Sequence, residues 1–418
     1  MHCVAIIKMR QIELKAILQR LLLAVAITGS AALAAEQAAD TYNDNSDNTA
    51  LDERSMRNAI SDIESRHGAY AADLPEQILS LGLALQAQDR HGEAMSAFKR
   101  GVHLARINNG LYSAEQIPLL HGEIESAIAL GEYGEVDQLQ EYLYRVQQRS
   151  LPAGKARADA LLQQAAWQFK AYQLELGTAG PERLLTMQDL YYRAWNDLRS
   201  VEEGNSPRLL PPLYGLQRTQ YLISEHQAAN DATVNNFNSN FSSANANHFY
   251  AYRAQNYDAG KSVIVAIYKI HRDNRGASSD EAVQAAVSLG DWAMWYDKRD
   301  EATQIYQYAL AELALRDDAQ EKGPALFGEP VPLPDVKGLR KLPPPVSPEE
   351  GNILVEFGVD SRGKVLDLTR LDTNEDMDPT AARLMRVLRG TKFRPRFESG
   401  EPVETDKLVR AYDIKSSE

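Results

Sequence analysis

The chain has 418 residues, of which 44% are hydrophobic and 25% charged, proportions ordinary for folded protein and enough for two or three folded units. Its formal charge of -13 leaves no basic excess to displace counterions from phosphates, which argues against a nucleic-acid-binding role. The one cysteine, Cys3, falls in a segment read below as removable, so the remaining chain is expected to form no disulfide.

Residues 1–34 read as a secretory signal. Lys8, Arg10, Lys15 and Arg20 precede the apolar run Leu21 to Ile27, and Ala32-Leu33-Ala34 places small residues where cleavage requires them. The apolar window between Arg20 and Glu36 is shorter than the roughly 20 residues that span a bilayer. A periplasmic location follows as an expectation, with an uncleaved inner-membrane anchor as the alternative, and Met9 is a possible second start. Residues 35–51 are rich in Ala, Asn, Asp and Thr and read as a flexible leader.

From 52 to 322 the apolar residues recur at three- and four-residue spacing, and Pro75, Pro118, Pro152, Gly177 to Pro181 and Pro207 punctuate the pattern. This predicts hairpins of helices, since a single helix cannot bury its own apolar stripe. Leu81-Gly82 is followed by Ala94, Phe98 and Gly101, and Leu289-Gly290 by Ala302, Tyr306 and Ala309, at identical spacing; Gly134-Glu135-Val136 begins a weaker copy with Gln140 in the aromatic position. The pattern resembles the tetratricopeptide repeat, in which small residues let two helices approach and the aromatic fills the space between hairpins. Trp167, Tyr172, Tyr191, Tyr192, Trp195, Tyr214 and Tyr221 read as packing rather than a ligand surface. The Asn- and Ser-rich stretch near 230–247 reads as a long loop, with Phe237, Phe241, Phe249 and Tyr250 as its candidate anchors.

Residues 323–348 hold eight prolines and read as a semi-rigid extended linker. Beyond it, residues 349–418 predict a small antiparallel sheet covered by one helix. Ile353, Val355, Phe357 and Val359 alternate with Leu354, Glu356 and Gly358, Asp360 to Gly363 make a turn, and Lys364 to Leu371 return as a second strand. Asp378 is expected to cap a helix beginning at Pro379, with Ala382, Leu384 or Met385, and Leu388 inward and Gly390 at its end. Phe393 and Phe397 are expected core plugs, and Leu408 to Ile414 the last strand.

The hydrophobic strand at Val355 to Phe357, the turn Asp360 to Gly363 and Phe393-Arg394-Pro395, in that order, resemble the C-terminal domain of the TonB family of periplasmic energy transducers. The resemblance covers about the last fifth of the chain. Leu342-Pro343-Pro344 stands where the family commonly has Tyr-Pro, and the aromatic usual late in the helix is absent at Arg389-Gly390-Thr391. The fold class is thus an α-helical, tetratricopeptide-like solenoid followed by a small α+β domain. In the family an extended peptide adds to the sheet edge, which here implies Lys407, Leu408, Val409, Arg410, Ala411 and Tyr412 as the partner-binding edge. A covered edge is the other reading. Arg383, Arg386, Arg389, Lys392, Arg394 and Arg396 form a candidate basic face toward the acidic helical block, an acidic partner or lipid, unless it is simply solvated.

Nothing in the sequence predicts a cofactor, a metal site or a catalytic residue. The eight histidines are scattered, and no nucleophile elbow is present. Gly260-Lys261-Ser262 ends like a phosphate loop, but Gln255 stands where its first glycine belongs. The pairs Glu123 and Glu125, and Asp297 and Asp300, read as solvated charges. The expected function is a non-enzymatic periplasmic scaffold that binds a protein or extended peptide of the cell envelope. The alternatives are a TonB-type energy transducer anchored by an uncleaved N-terminal helix, and a cell-wall hydrolase.

Overall fold

A computed structural model describes residues 38–177, 180–226 and 243–414. Residues 1–34, with the expected signal, Cys3 and Met9, and Phe237, Phe241 and most of the Asn- and Ser-rich stretch lie outside the described residues. The described chain holds fourteen α-helices and a small set of strands, and divides into two compact units, one ending at Pro152 and the other beginning at Ala153.

The first unit contains α1 (Ala38–His67), α2 (Leu74–Gln86), α3 (His91–Asn109), α4 (Gln116–Leu130) and α5 (Tyr133–Ser150), each packed on the next. Pro75 sits in the first turn of α2, where its missing N–H is no loss. α1 begins inside the stretch 35–51 that the sequence assigns to a flexible leader. Ile60 is buried and Met56 and Ile63 pack beside it against α2, and a helix once nucleated there extends backward at little cost per residue.

Phe98 shows how the hairpins close. Its ring lies so near Gly82 of α2 and Gly122 of α4 that a Cβ at either position would stand 2.3 Å or 2.5 Å from it. One buried aromatic of α3 therefore fills the gap between the helices before and after it, as the spacing predicts. In the weaker copy, Val136 and Leu143 of α5 are buried while Gln140 is partly exposed.

The second unit opens with α6 (Lys155–Gln173), α7 (Gly180–Arg199), α8 (Leu210–Glu225), α9 (Ser243–Ala254), α10 (Asn256–Arg275), α11 (Asp280–Trp295), α12 (Arg299–Ala314) and α13 (Ala319–Phe327). Here α6 packs on α7, α7 on α8, α8 on α10, and α10 through α13 pack in sequence. The small–aromatic–small pattern of α3 returns on α12, where Ala302, Tyr306 and Ala309 are buried and Tyr306 occupies the space beside Gly290. The spacing of these buried positions, though not their residue types, recurs on α7 at Met187, Tyr191 and Ala194, with Tyr191 against Gly215 of α8, and on α10 at Gly260, Ile264 and Ile267. The helices thus form tetratricopeptide-like hairpins. The Asn- and Ser-rich stretch ends sooner than the sequence suggests, with Phe249 of α9 buried and Tyr250 exposed.

The same unit carries the sheet module. Strands β2 (Ile353–Val359), β3 (Val365–Arg370) and β7 (Thr405–Tyr412) form an antiparallel sheet in the order β3-β2-β7. Helix α14 (Asp378–Gly390) covers one face and buries Ala381, Leu384 and Leu388 against Val355, Phe357 and Leu408. Ala381, not Ala382, takes the inward place, and Asp378 is the first residue of the helix rather than its cap; its carboxylate accepts from Arg370. Two short pairs complete the module: β1 (Val331–Pro332) with β4 (Phe393–Arg394), and β5 (Arg396–Glu398) with β6 (Glu401–Val403). Ser399 and Gly400 join the latter pair with φ of 51° and 85°, the left-handed pair a two-residue hairpin turn needs.

The proline-rich stretch is not an extended spacer. It opens inside α13, contributes β1, buries Leu333 among the helices and buries Leu342 in the core of the sheet module. The apolar residues between the prolines decide this, because Leu333, Leu342, Val336 and Leu339 each join a hydrophobic cluster.

Candidate binding surfaces

β7 is an edge strand of the three-stranded sheet. Because Leu354 of β2 directs its main chain toward β3 and the segment after it, accepting from the Leu371 N–H at 2.8 Å, its partner Ala411 directs its own main chain outward. Alternation does the same for Val409, whose carbonyl accepts from the Arg410 guanidinium at 3.2 Å, and the regular register ends at a bulge opposite Gly358 that holds Asp406 and Lys407. At Ala411 the outer edge is already used: the Val346 N–H donates to the Ala411 carbonyl at 2.9 Å. Toward Lys407 no further strand pairs with β7 among the described residues. The six residues of the predicted edge therefore split, with Leu408 and Tyr412 turned into the core, Ala411 covered, Arg410 drawn to Glu329, and Lys407 and Val409 exposed.

The predicted basic face is not one face. Arg383, Arg386 and Arg389 project from the exposed side of α14. Lys392, Arg394 and Arg396 follow it on another side, and the first two hold the module to the helices. The Lys392 ammonium donates to the Trp295 carbonyl and the Asp297 carboxylate, both at 2.7 Å. Arg396 pairs with Glu398. Arg394 is 2% exposed and donates through one nitrogen to both oxygens of buried Asp291, at 3.1 and 3.0 Å.

The Tyr306 hydroxyl donates to the same carboxylate at 2.8 Å. Burial pushes the Asp291 carboxyl up from the ordinary carboxylate range, and the Arg394 charge and Tyr306 bond oppose it. Phe397 inserts between Tyr306 and Phe327, each ring centroid 5.4 Å away. It plugs the helical cluster, not the core of the module as the sequence suggests. Nothing in the repeat pattern singles out Asp291, although a lone carboxylate in the apolar run Leu289-Gly290-Asp291-Trp292 is a signal of a buried partner.

A groove of about 510 Å³ opens between α8, α10, α11 and α13, lined among others by Tyr214, Ile264, Ile267, Val283 and Leu326. Its acidic residues are engaged, Asp280 with Arg316 and Lys322, and Glu281 with Arg275. A largely apolar lining whose charged residues are paired suits side-chain packing better than acid–base chemistry.

The residues weighed for catalysis find other uses. Gly260-Lys261-Ser262 lies within α10, where Gly260 meets Trp292 and Lys261 pairs with Glu301. Glu123 is buried rather than solvated, while Glu125, Asp297 and Asp300 are exposed. No group of His, Cys, Asp and Glu able to hold a metal ion occurs among the described residues.

No family model matches the chain, and no curated protein matches it. Among solved structures, two forms of a kinesin light chain protein with nearly identical TPR-like repeats from Podosopora anserina are similar to 60% and 57% of this chain, over 99% and 94% of their own length. Their identities are 11% and 13% and their TM-scores 0.37 and 0.36. BtubC (BKLC) from P. vanneervenii matches 66% of this chain and 90% of its own, at 14% identity and a TM-score of 0.37. Likenesses this distant decide nothing about partner or activity, and the hairpin architecture rests on the packing above.

Proposed function

We propose that this protein is a non-enzymatic interaction scaffold of the bacterial periplasm whose TonB-like sheet module binds an extended segment of an envelope protein by strand addition. The observation that carries this reading is the outer edge of β7, where Val409 directs its main chain away from the sheet and no further strand pairs among the described residues. An extended chain placed there would gain a ladder of main-chain hydrogen bonds, with affinity set by that ladder and specificity by the flanking side chains. The module is carried on the helices as one piece with them, so the edge is presented rigidly instead of on a tether.

Val409→Pro tests it. Proline removes the outward N–H and is tolerated on an edge strand, so the variant is expected to fold with an unchanged melting temperature. An envelope protein retained by the wild-type chain in a pulldown should be lost by this variant. Recovery of no such protein, or equal recovery by both chains, would sink the reading.

A further inference from the structure

Arg383, Arg386 and Arg389 lie on one exposed side of α14, spaced i, i+3 and i+6, and among the described residues no carboxylate pairs with any of them. Four other arginines of the module face acids: Arg370 meets Asp372 and Asp378, Arg394 meets Asp291, Arg396 meets Glu398 and Arg410 meets Glu329. The β2–β3 turn adds exposed Arg362 and Lys364 near the same end, because the Phe393 N–H donates to the Gly363 carbonyl at 2.9 Å, just beyond the helix. Asp360 lies in that turn, accepting from the Arg362 and Lys364 N–H groups, so cations still outnumber acids in this place, on a chain of formal charge -13. The helix dipole accounts for Arg389 in the last turn, but not for Arg383 in the first half.

We propose that this stripe is a docking surface for a short acidic segment of a partner protein. Arginine suits that ligand because its planar fork can grip a carboxylate through two bonds. The stripe is about 9 Å long at 1.5 Å per residue, which is the span of about three residues of extended chain. A membrane surface fits less well. The apolar side of α14 is spent on the module core, so nothing remains to insert among lipids. Exposed Glu375 and Asp376 precede the helix, and together with the acidic chain as a whole they would be repelled by a broad anionic plane.

Fluorescein-labelled decaglutamate, titrated with the full chain and followed by anisotropy at low ionic strength, reads the contact. Binding should weaken with added salt, and by roughly tenfold in R383Q/R386Q/R389Q, as expected for the loss of three exposed charge contacts. All three side chains are exposed, so near-ultraviolet circular dichroism and the melting temperature should not change. Val409→Pro should bind decaglutamate as the wild type does, which separates this surface from the β7 edge. Equal binding by the folded glutamine variant overturns the proposal, as does sedimentation with phosphatidylglycerol vesicles by a protein that ignores decaglutamate.

Discussion

Glu123 is a single carboxylate that makes folding depend on pH. It sits in α4 at 3% exposure, and burial pushes its carboxyl up to about 7, with Lys99 opposing and Glu135 reinforcing. The folded state therefore prefers the protonated acid. Its contribution to stability is fully present below the ordinary carboxylate range and is lost as pH rises through about 7. Glu123→Gln keeps the shape without the titration, so it should raise stability at pH 8 by up to about 3 kcal/mol and change little at pH 4. Urea denaturation at the two pH values measures this, and an unchanged difference between them would show that Glu123 does not set it. In sequence, Glu123 and Glu125 look alike, two acids in one helix. Their fates diverge because the intervening residue turns the helix by 200° in all, a rotation that spacing alone does not orient toward a neighbour.

At the scale of elements, the hairpins are held by glycines that admit aromatics. In an ordinary helix interior Gly→Ala gains about 1 kcal/mol of propensity. At Gly122 the added methyl would meet the Phe98 ring at 2.5 Å, so Gly122→Ala is expected to destabilise the protein despite that gain. Shrinking the ring in Gly122→Ala/Phe98→Leu should restore part of the loss, and a double-mutant cycle by chemical denaturation would reveal the coupling. Strictly additive effects would mean that ring and glycine do not share the space. These contacts were legible where the residues keep to type, as at Gly82 with Phe98 and Gly290 with Tyr306. They are not legible on α7 and α10, where Met187 stands in a small-residue position and Ile264 in the aromatic one. Packing asks for a summed volume, and Gly260 of α10 meets that demand by receiving Trp292 from the next helix. A pattern search tied to one residue type cannot see such an exchange.

On the scale of the molecule, the sheet module and helices α6 to α13 belong to one compact unit, although composition marks a border at the prolines. Local alternation made the strands of the module readable. Its attachment was not, because Arg394 and Asp291 are far apart in sequence and each looks like a surface charge until both are buried. Burying such a pair is favourable only while both members remain, and removing one is expected to cost about 3–5 kcal/mol. The module also borrows Leu342 from the proline-rich stretch for its core, and gives Phe397 to the helices. Residues 349–418 expressed alone should therefore unfold well below the temperature at which the same residues unfold in the full chain. A fragment of residues 153–418 should keep them folded, with helices and sheet melting in one calorimetric transition. Within that fragment Arg394→Ala should separate the transition into two or lower it by several degrees, whereas Asp291→Leu/Arg394→Met, which removes both members of the pair and leaves nearby Asp335 to Arg340, should fall less. If residues 349–418 alone melt where the full chain does, the module stands by itself, and the buried pair only positions it against the helices.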